Sequence, residues 1–275
     1  MSYRDPVFYL LHAARDAGAD SITLGVTAAT GFPASRLVDD RSTADFKFST
    51  DATGHTIVID RGTGTVSGAD HGIDTLIVPA GHGWDTGSNG DFIVEEADDV
   101  GMSVNLTTLL DVNDGPDEGA QVRETMTASQ RRFVRLKWDG SGPDTQRMGE
   151  LYLSRAVTLS RGPAPDWEQY LVSNFVESRM VSGERYRRKL GTRTKVHQLS
   201  WEFLTDADVA YLQTKLFDRL GDLVSPFYFL PPDDTITDAL YVWVQEDPAI
   251  VQASPAPGGV GLRWNASLLL VECIQ

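Results

Sequence analysis

Two stretches, Thr56-Ile57-Val58-Ile59-Asp60 and Phe133-Val134-Arg135-Leu136-Lys137-Trp138, decide the fold of the first half of this 275-residue chain. The first contains a continuous apolar triplet, and the second alternates apolar with basic residues. Both patterns are typical of β-strands in a sandwich. Ser21–Val26, Asp74–Val78 and Asp91–Glu95 have the same character, with Gly, Asp and Ser turns between them. We therefore predict an N-terminal jelly-roll β-sandwich.

Two helices are predicted outside these strands. Near the N-terminus, Asp5 can act as an N-cap, with Pro6 at the first helical position. In the second half, Thr205 and Asp208 form a Thr-x-x-Asp start, and Gly221 supplies a stop. Between these signals, apolar residues recur at helical spacing: Val209, Leu212, Leu216 and Leu220.

A proline-rich segment, Arg161-Gly162-Pro163-Ala164-Pro165-Asp166, predicts a boundary between two domains, 1–162 and 163–275. The chain length also favours two domains. Beyond the boundary, Leu199–Phe203 alternates apolar and polar residues, and further strand-like runs follow at Phe227–Phe229, Tyr241–Val244 and Leu262–Ile274. This order predicts an α+β domain with an antiparallel sheet and one packed helix.

The composition excludes several classes of protein. Cys273 is the only cysteine, so internal disulfides and zinc fingers or ribbons are excluded. No apolar run approaches the roughly 20 residues of a membrane helix. The short apolar stretch Val7–Leu11, with acidic neighbours, does not fit a secretory signal.

Charge is distributed unevenly along the chain. The net charge of −15 disfavours a nucleic-acid partner, because phosphates repel such a field. Residues 62–122 hold twelve Asp or Glu and no Lys or Arg. Basic residues crowd into the next domain at Arg185, Arg187, Arg188, Lys189 and Arg193. We predict that this basic segment docks an acidic neighbour, such as region 62–122 of another copy; the alternative is a solvated strand face.

Part of the first domain resembles discoidin-like (coagulation factor 5/8 C-type) galactose-binding domains. The stretch running from Ala28 to Phe46 carries the family's turn, Gly31-Phe32-Pro33, and its Ser42-Thr43 segment. Thr56–Asp60, Thr75–Pro79 and Arg132–Trp138 continue the match, which covers about residues 20–160. The resemblance implies an eight-stranded jelly roll and sugar binding. The chain departs from it in lacking paired cysteines and in having a glycine-rich loop after Pro79.

The second half is similar to domains of tailed-phage minor tail and baseplate proteins. The segments that carry this similarity are Arg187–Arg193, Leu199–Asp208, Ser225–Thr235 and Trp264–Leu268. The resemblance implies a structural component of a phage tail tip or baseplate that assembles into a symmetric ring through its C-terminal domain. It also implies other tail proteins and copies of itself as partners, a place in the virion tail, and assembly in the host cytoplasm.

The sequence contains none of the catalytic motifs sought: no Gly-x-Ser-x-Gly elbow, no His-Glu-x-x-His and no Walker A loop. We therefore expect a protein that is not an enzyme and has no cofactor apart from calcium. A polysaccharide hydrolase stays an alternative, and it would need two carboxylates about 5–10 Å apart in a cleft.

The segment His82-Gly83-Trp84-Asp85 follows an apolar strand and is a candidate carbohydrate site. A tryptophan can stack on a sugar face while a carboxylate accepts hydrogen bonds from hydroxyls. We therefore predict His82, Trp84 and Asp85 as sugar-binding residues, and host surface glycans as the ligand in an alternative adsorption function. The competing interpretation is that Trp84 covers one end of its own sandwich or makes a subunit contact.

The run from Asp111 to Glu118 gathers hard oxygen ligands near a turn. Calcium favours carboxylate and carbonyl oxygens in such loops, so Asp111, Asn113, Asp114 and Asp117 are candidate ligands. The alternative is a solvated turn in which these side chains accept local backbone hydrogen bonds.

Overall fold

The computed structural model describes residues 4–10, 21–39, 46–49, 55–62, 72–80, 92–112, 120–129, 131–138, 147–164, 167–172, 175–179, 185–189, 193–217, 225–233, 235–246, 248–253 and 262–273. The chain divides into two compact units: Tyr9–Ala156, and Met1–Phe8 together with Val157–Gln275. The predicted boundary after residue 162 lies a few residues further along. The sequence did not indicate that the first residues belong with the second unit.

The first unit is a jelly-roll β-sandwich, as predicted. The chain begins with β1 (Val7–Tyr9), and the strands of the first unit in the described residues are β2 (Ile22–Leu24), β3 (Phe46–Lys47), β4 (Thr56–Asp60), β5 (Ile73–Val78), β6 (Phe92–Ala97), β7 (Thr107–Val112), β8 (Val122–Ser129), β9 (Phe133–Trp138), β10 (Arg147–Met148) and β11 (Tyr152–Ser154). A five-stranded sheet has the order β2-β4-β9-β6-β7, and a three-stranded sheet has the order β11-β5-β8. The short strands β3 and β10 pair with each other, and all these pairings are antiparallel.

The two apolar stretches that decide this fold form the sandwich core. Ile57 and Ile59 of β4 are fully buried, together with Trp138 of β9 and apolar side chains of the three-stranded sheet. Val58 points to the opposite face, because side chains alternate along a strand. There it packs in a small second cluster with Ala97, Met102 and Phe133. This second cluster explains why the triplet is continuously apolar.

The second unit has the predicted antiparallel sheet. Its strands in the described residues are β12 (Glu168–Val172), β13 (Phe175–Arg179), β14 (Arg185–Lys189), β15 (Thr194–Leu204), β16 (Phe227–Leu230), β17 (Leu240–Val244), β18 (Ala249–Ala253) and β19 (Arg263–Glu272). A seven-stranded sheet has the order β1-β16-β17-β19-β15-β12, with β18 also pairing to β19. Strands β13 and β14 form a separate antiparallel pair.

The predicted helix forms, but it is shorter and less regular than the sequence indicates. Helix α1 spans Asp206–Tyr211 and continues as a π-helical turn, Leu212–Phe217. The capping box is confirmed: the Thr205 hydroxyl accepts from the Asp208 N–H, and the Asp208 carboxylate accepts from the Thr205 N–H. Val209 and Leu212 are buried as the spacing predicts. The predicted stop at Gly221 lies outside the described residues.

The predicted helix start at Asp5 and Pro6 is wrong. The chain is not helical there, and Val7–Tyr9 forms strand β1 beside β16. Phe8 is buried, with its ring 5.4 Å from that of Phe229. Aromatic packing in the sheet therefore outweighs the local capping signal. No helix in the described part of the chain is long and apolar enough to cross a membrane.

Candidate functional site

Three neighbouring strands of the five-stranded sheet end side by side. Phe92, at the start of β6, lies opposite Val112 at the end of β7 and opposite Trp138 at the end of β9. On the next strand, Thr56 at the start of β4 lies opposite Lys137. We call this end of the five-stranded sheet the Phe92 end of the sandwich. In jelly rolls, the loops at such an end are where ligands can be bound without disturbing the core.

The predicted sugar and calcium residues are attached in sequence to the Phe92 end. His82, Trp84 and Asp85 precede Phe92, and Asn113, Asp114 and Asp117 follow Val112; all six lie outside the described residues. Asp111 is described: it is exposed and lies in β7 opposite Ile93, so it belongs to the strand rather than to the predicted turn. Two stretches far apart in sequence therefore leave the sheet at one end, which the sequence alone did not indicate.

A buried aromatic cluster lies directly below the Phe92 end. Trp138 makes an edge contact with Phe48, with ring centroids 5.7 Å apart. Phe48 also contacts His55 at 4.4 Å and Phe46 at 4.9 Å. The backbone N–H of Trp138 donates to the backbone carbonyl of His55. These rings hold the ends of β3, β4 and β9 together, so the loops beyond them start from a rigid base.

The other end of the five-stranded sheet is the Phe133 end, where Asp60 of β4 and Ala97 of β6 each pair with Phe133 of β9. Ion pairs and hydrogen bonds cover it. The Arg132 guanidinium donates to both carboxylate oxygens of Asp60 at 2.7 Å, and this hydrogen bonding is the largest cause that holds the pKa of Asp60 below its ordinary value. Such a bidentate pair fixes geometry and satisfies both partners. We assign this end a structural role.

The β6–β7 connection at the Phe133 end is tightly ordered. The Asp99 carboxylate accepts from the N–H and hydroxyl of Ser103 and from the N–H of Val104, at 2.6–2.8 Å. The Asn105 amide donates to Asp98 at 2.6 Å, and Arg131 donates to the same carboxylate oxygen. Their hydrogen bonds, with that of Asn105 the larger, hold the pKa of Asp98 below its ordinary value. These acidic groups are engaged by their own loop and by Arg131 of the β8–β9 connection.

The predicted docking residues lie on two elements of the second unit. Arg185, Arg187, Arg188 and Lys189 belong to β14, whose backbone pairs with β13. Arg193 is exposed and immediately precedes β15. Their role as a docking surface stays a prediction.

Within the described residues, no group of three or more His, Cys, Asp or Glu side chains is placed to hold a metal ion. Three of the four predicted calcium ligands lie outside these residues, so calcium binding stays a prediction. The segments that adjoin the Phe92 end in sequence contain an aromatic residue, carboxylates, an amide and a histidine, and the placement of their side chains stays a prediction. This combination suits noncovalent recognition of hydroxylated ligands.

No protein-family model matches this chain, and no curated protein matches it. Solved structures to which it is similar include the chitosan-binding module 1 derived from a chitosanase/glucanase of Paenibacillus sp. IK-5, at 18% identity and a TM-score of 0.40, covering 50% of this chain and 97% of that one. CBM62 from Clostridium thermocellum Xyl5A is similar at 16% identity and a TM-score of 0.38, covering 50% and 94%. The family 32 CBM from C. perfringens NanJ, in complex with galactose, is similar at 10% identity and a TM-score of 0.38, covering 54% and 98%.

Proposed function

We propose that this chain binds carbohydrate at the Phe92 end of its jelly roll and makes or breaks no bond. The observation that carries the proposal is the strand register in which Phe92, Val112 and Trp138 lie side by side. In that register, two segments connect to the same end of the sheet. One contains His82, Trp84 and Asp85, and the other contains Asn113, Asp114 and Asp117. The resemblance of residues 20–160 to galactose-binding domains supports the same function.

In this proposal, Trp84 supplies the apolar surface and its neighbours supply polarity. An indole ring stacks on the C–H face of a pyranose, and Asp85 and His82 exchange hydrogen bonds with its hydroxyl groups. The net charge of −15 makes the protein repel acidic glycans at long range. We therefore expect neutral or amino sugars to bind better than uronic or sialic acids.

Calcium is a second part of the proposal. Asp111, Asn113, Asp114 and Asp117 would offer hard oxygen ligands beside the proposed sugar site. A bound ion there would bring the loop after Val112 into one conformation before the sugar arrives, which reduces the entropy lost on binding.

The experiment is a glycan array probed with the intact protein in calcium-containing buffer. We expect signals on neutral or amino sugars, and we expect Trp84→Ala to weaken them. Trp243→Ala is the matched control, because Trp243 is 47% exposed on the sheet of the other unit. Signals that survive Trp84→Ala unchanged, or an array without signals, contradict the proposal.

A place in a phage tail tip stays a prediction. It is compatible with glycan binding, because a tail component that binds glycans would help a particle adsorb to its host. In that setting the second unit would anchor the chain through Arg185, Arg187, Arg188, Lys189 and Arg193. Charge reversal at Arg187 and Arg188, and added salt, should then both weaken assembly; assembly indifferent to both would contradict this role.

A further inference from the structure

The second unit has a cavity of its own on the outer face of the seven-stranded sheet. The cavity has a volume of about 500 Å³. Four polar side chains from two adjacent strands line it: Ser200 and Glu202 of β15, and Asn265 and Ser267 of β19. Ala249 and Val251 of β18 form its apolar wall. A volume of this order accommodates a small organic ligand.

The strand register explains why these side chains share one face. Ser200 of β15 pairs with Ser267 of β19. Ser267 also pairs with Ala249 of β18, which lies next to β19 on its other side. In the same way, Val251 lies opposite Asn265. Trp201, between Ser200 and Glu202 in sequence, points the other way and is buried. Because side chains alternate along a strand, the polar residues of both rows lie on the outer face.

A β-bulge inserts an extra residue, Phe203, next in sequence to Glu202 of the cavity lining. The pairing slips between Trp201 and Leu204, so Glu202 and Phe203 together oppose Asn265. Phe203 has a φ of +61°, a conformation that bulky L-residues rarely adopt. Its N–H donates to the Asn265 side-chain oxygen at 3.2 Å, which holds the bulge in place.

Burial alone does not account for a phenylalanine at this strained position, because Phe203 is 46% exposed. Glycine would adopt this conformation without strain. A strand with regular pairing would not need a positive φ at this position. Strained residues with exposed side chains cluster at binding sites, where the strain aims a side chain.

We propose that this cavity binds a neutral pyranose, at a site separate from the Phe92 end. Hydroxyl groups of Ser200 and Ser267, the Asn265 amide nitrogen and the Glu202 carboxylate match the donors and acceptors of a sugar. Phe203, next in sequence to Glu202, would add an apolar ring beside these polar groups. Among the described residues, the lining contains one carboxylate and no cation, which disfavours acidic sugars. This site does not depend on the function proposed for the first unit.

The test measures binding of cellobiose to the intact protein by ligand-observed NMR, with glucuronic acid and a tri-lysine peptide as further probes. Three variants are compared with the wild type: Phe203→Gly, Glu202→Gln and Trp84→Ala. Phe203→Gly keeps the favoured backbone conformation and removes the ring. We expect it to weaken cellobiose binding by at least about tenfold in the Trp84→Ala background. Glu202→Gln should weaken it by a smaller factor, and glucuronic acid should not compete.

The outcomes separate the two proposals. If Trp84→Ala alone abolishes cellobiose binding, Phe203→Gly has no binding left to remove. That result overturns the second site and leaves the first intact. Loss only in Phe203→Gly supports the second site and shows that cellobiose is not a ligand of the first. Tri-lysine that binds at Phe203 and Glu202 while cellobiose does not would overturn the saccharide assignment, because the cavity would then accept a basic peptide. A melting temperature of Phe203→Gly at or above that of the wild type excludes misfolding as the cause.

Discussion

The carboxylate of Asp208 accepts hydrogen bonds from both the backbone N–H and the hydroxyl of Ser160, at 2.9 and 2.5 Å. The same carboxylate accepts from the N–H and hydroxyl of Thr205 at the start of helix α1. Burial raises the pKa of Asp208, but these hydrogen bonds together outweigh it and hold the pKa below its ordinary value. One side chain thus fastens the segment around Ser160 to the helix start.

Replacing Asp208 should destabilise the second unit. We expect Asp208→Ala to lower the free energy of unfolding by about 2 kcal/mol, because it removes the cap and leaves buried donors unpaired. Urea unfolding followed by circular dichroism measures this. The exposed Asp238→Ala serves as control and should change stability by less than about 0.5 kcal/mol. Equal effects of the two substitutions would contradict the role assigned to Asp208.

The ion pair between Asp60 and Arg132 should make the first unit less stable in acid. Because the folded-state pKa of Asp60 lies below the unfolded value of about 3.9, the unfolded chain takes up this proton first as the pH falls. The stabilisation is therefore complete above pH 4 or so and is lost as the pH drops through the lowered folded-state pKa. We expect unfolding curves of Asp60→Asn to depend less on pH than those of the wild type in this range. The same pH dependence in both proteins would refute this assignment.

Met102 should anchor the β6–β7 connection. It is 5% exposed and packs on Val58, Ala97 and Phe133 of the outer face. We expect Met102→Ala to cost about 2 kcal/mol, since it opens a cavity in this cluster. Val104→Ala, in the same connection but exposed, should have almost no effect. Thermal melts of both variants test this, and a harmless Met102→Ala would show that the cluster does not stabilise the sheet.

At position 203, the glycine variant should be more stable than the alanine variant, which is the reverse of the usual order in a strand. Both Phe203→Gly and Phe203→Ala remove the ring, but only glycine occupies a φ of +61° without strain. We therefore expect Phe203→Gly to be more stable than Phe203→Ala by about 1 kcal/mol. In an ordinary strand position glycine would be the less stable of the two, and finding that order would mean that the bulge relaxes.

The sequence predicts best those elements whose residues are apolar on at least one whole face. Strands β4 and β9 have the predicted bounds, because their β-branched and alternating residues fill the core. Strands β8 and β12 were not predicted, since polar or exposed residues dominate them, although Val122 and Met126 of β8 do reach the core. The helix at Asp5 was predicted from a local cap, and the burial of Phe8 overrode that signal.

The candidate sites, too, could be predicted only where the residues of one segment carry the signal. Residue chemistry alone makes His82, Trp84 and Asp85 candidates, and that stays a prediction. Only the pairing of Phe92 with Val112 shows that the aromatic segment and the oxygen-rich segment connect to the same end of the sheet. Nothing in the sequence marks Phe203, because a positive φ at phenylalanine arises from the bulge. The cavity beside it combines rows from three strands, and no local pattern reveals that arrangement.

Hydrogen–deuterium exchange of the intact protein, with and without a glycan that the array identifies, tests most directly whether sugar binds at the Phe92 end. We expect slower exchange in peptides covering residues 79–91 and in those following Val112 and Trp138. Peptides around Asp98 and Ser103, at the Phe133 end, should exchange at the same rate in both samples. Protection confined to the Phe133 end, or absent from the whole first unit while the glycan is bound, would contradict the proposed function.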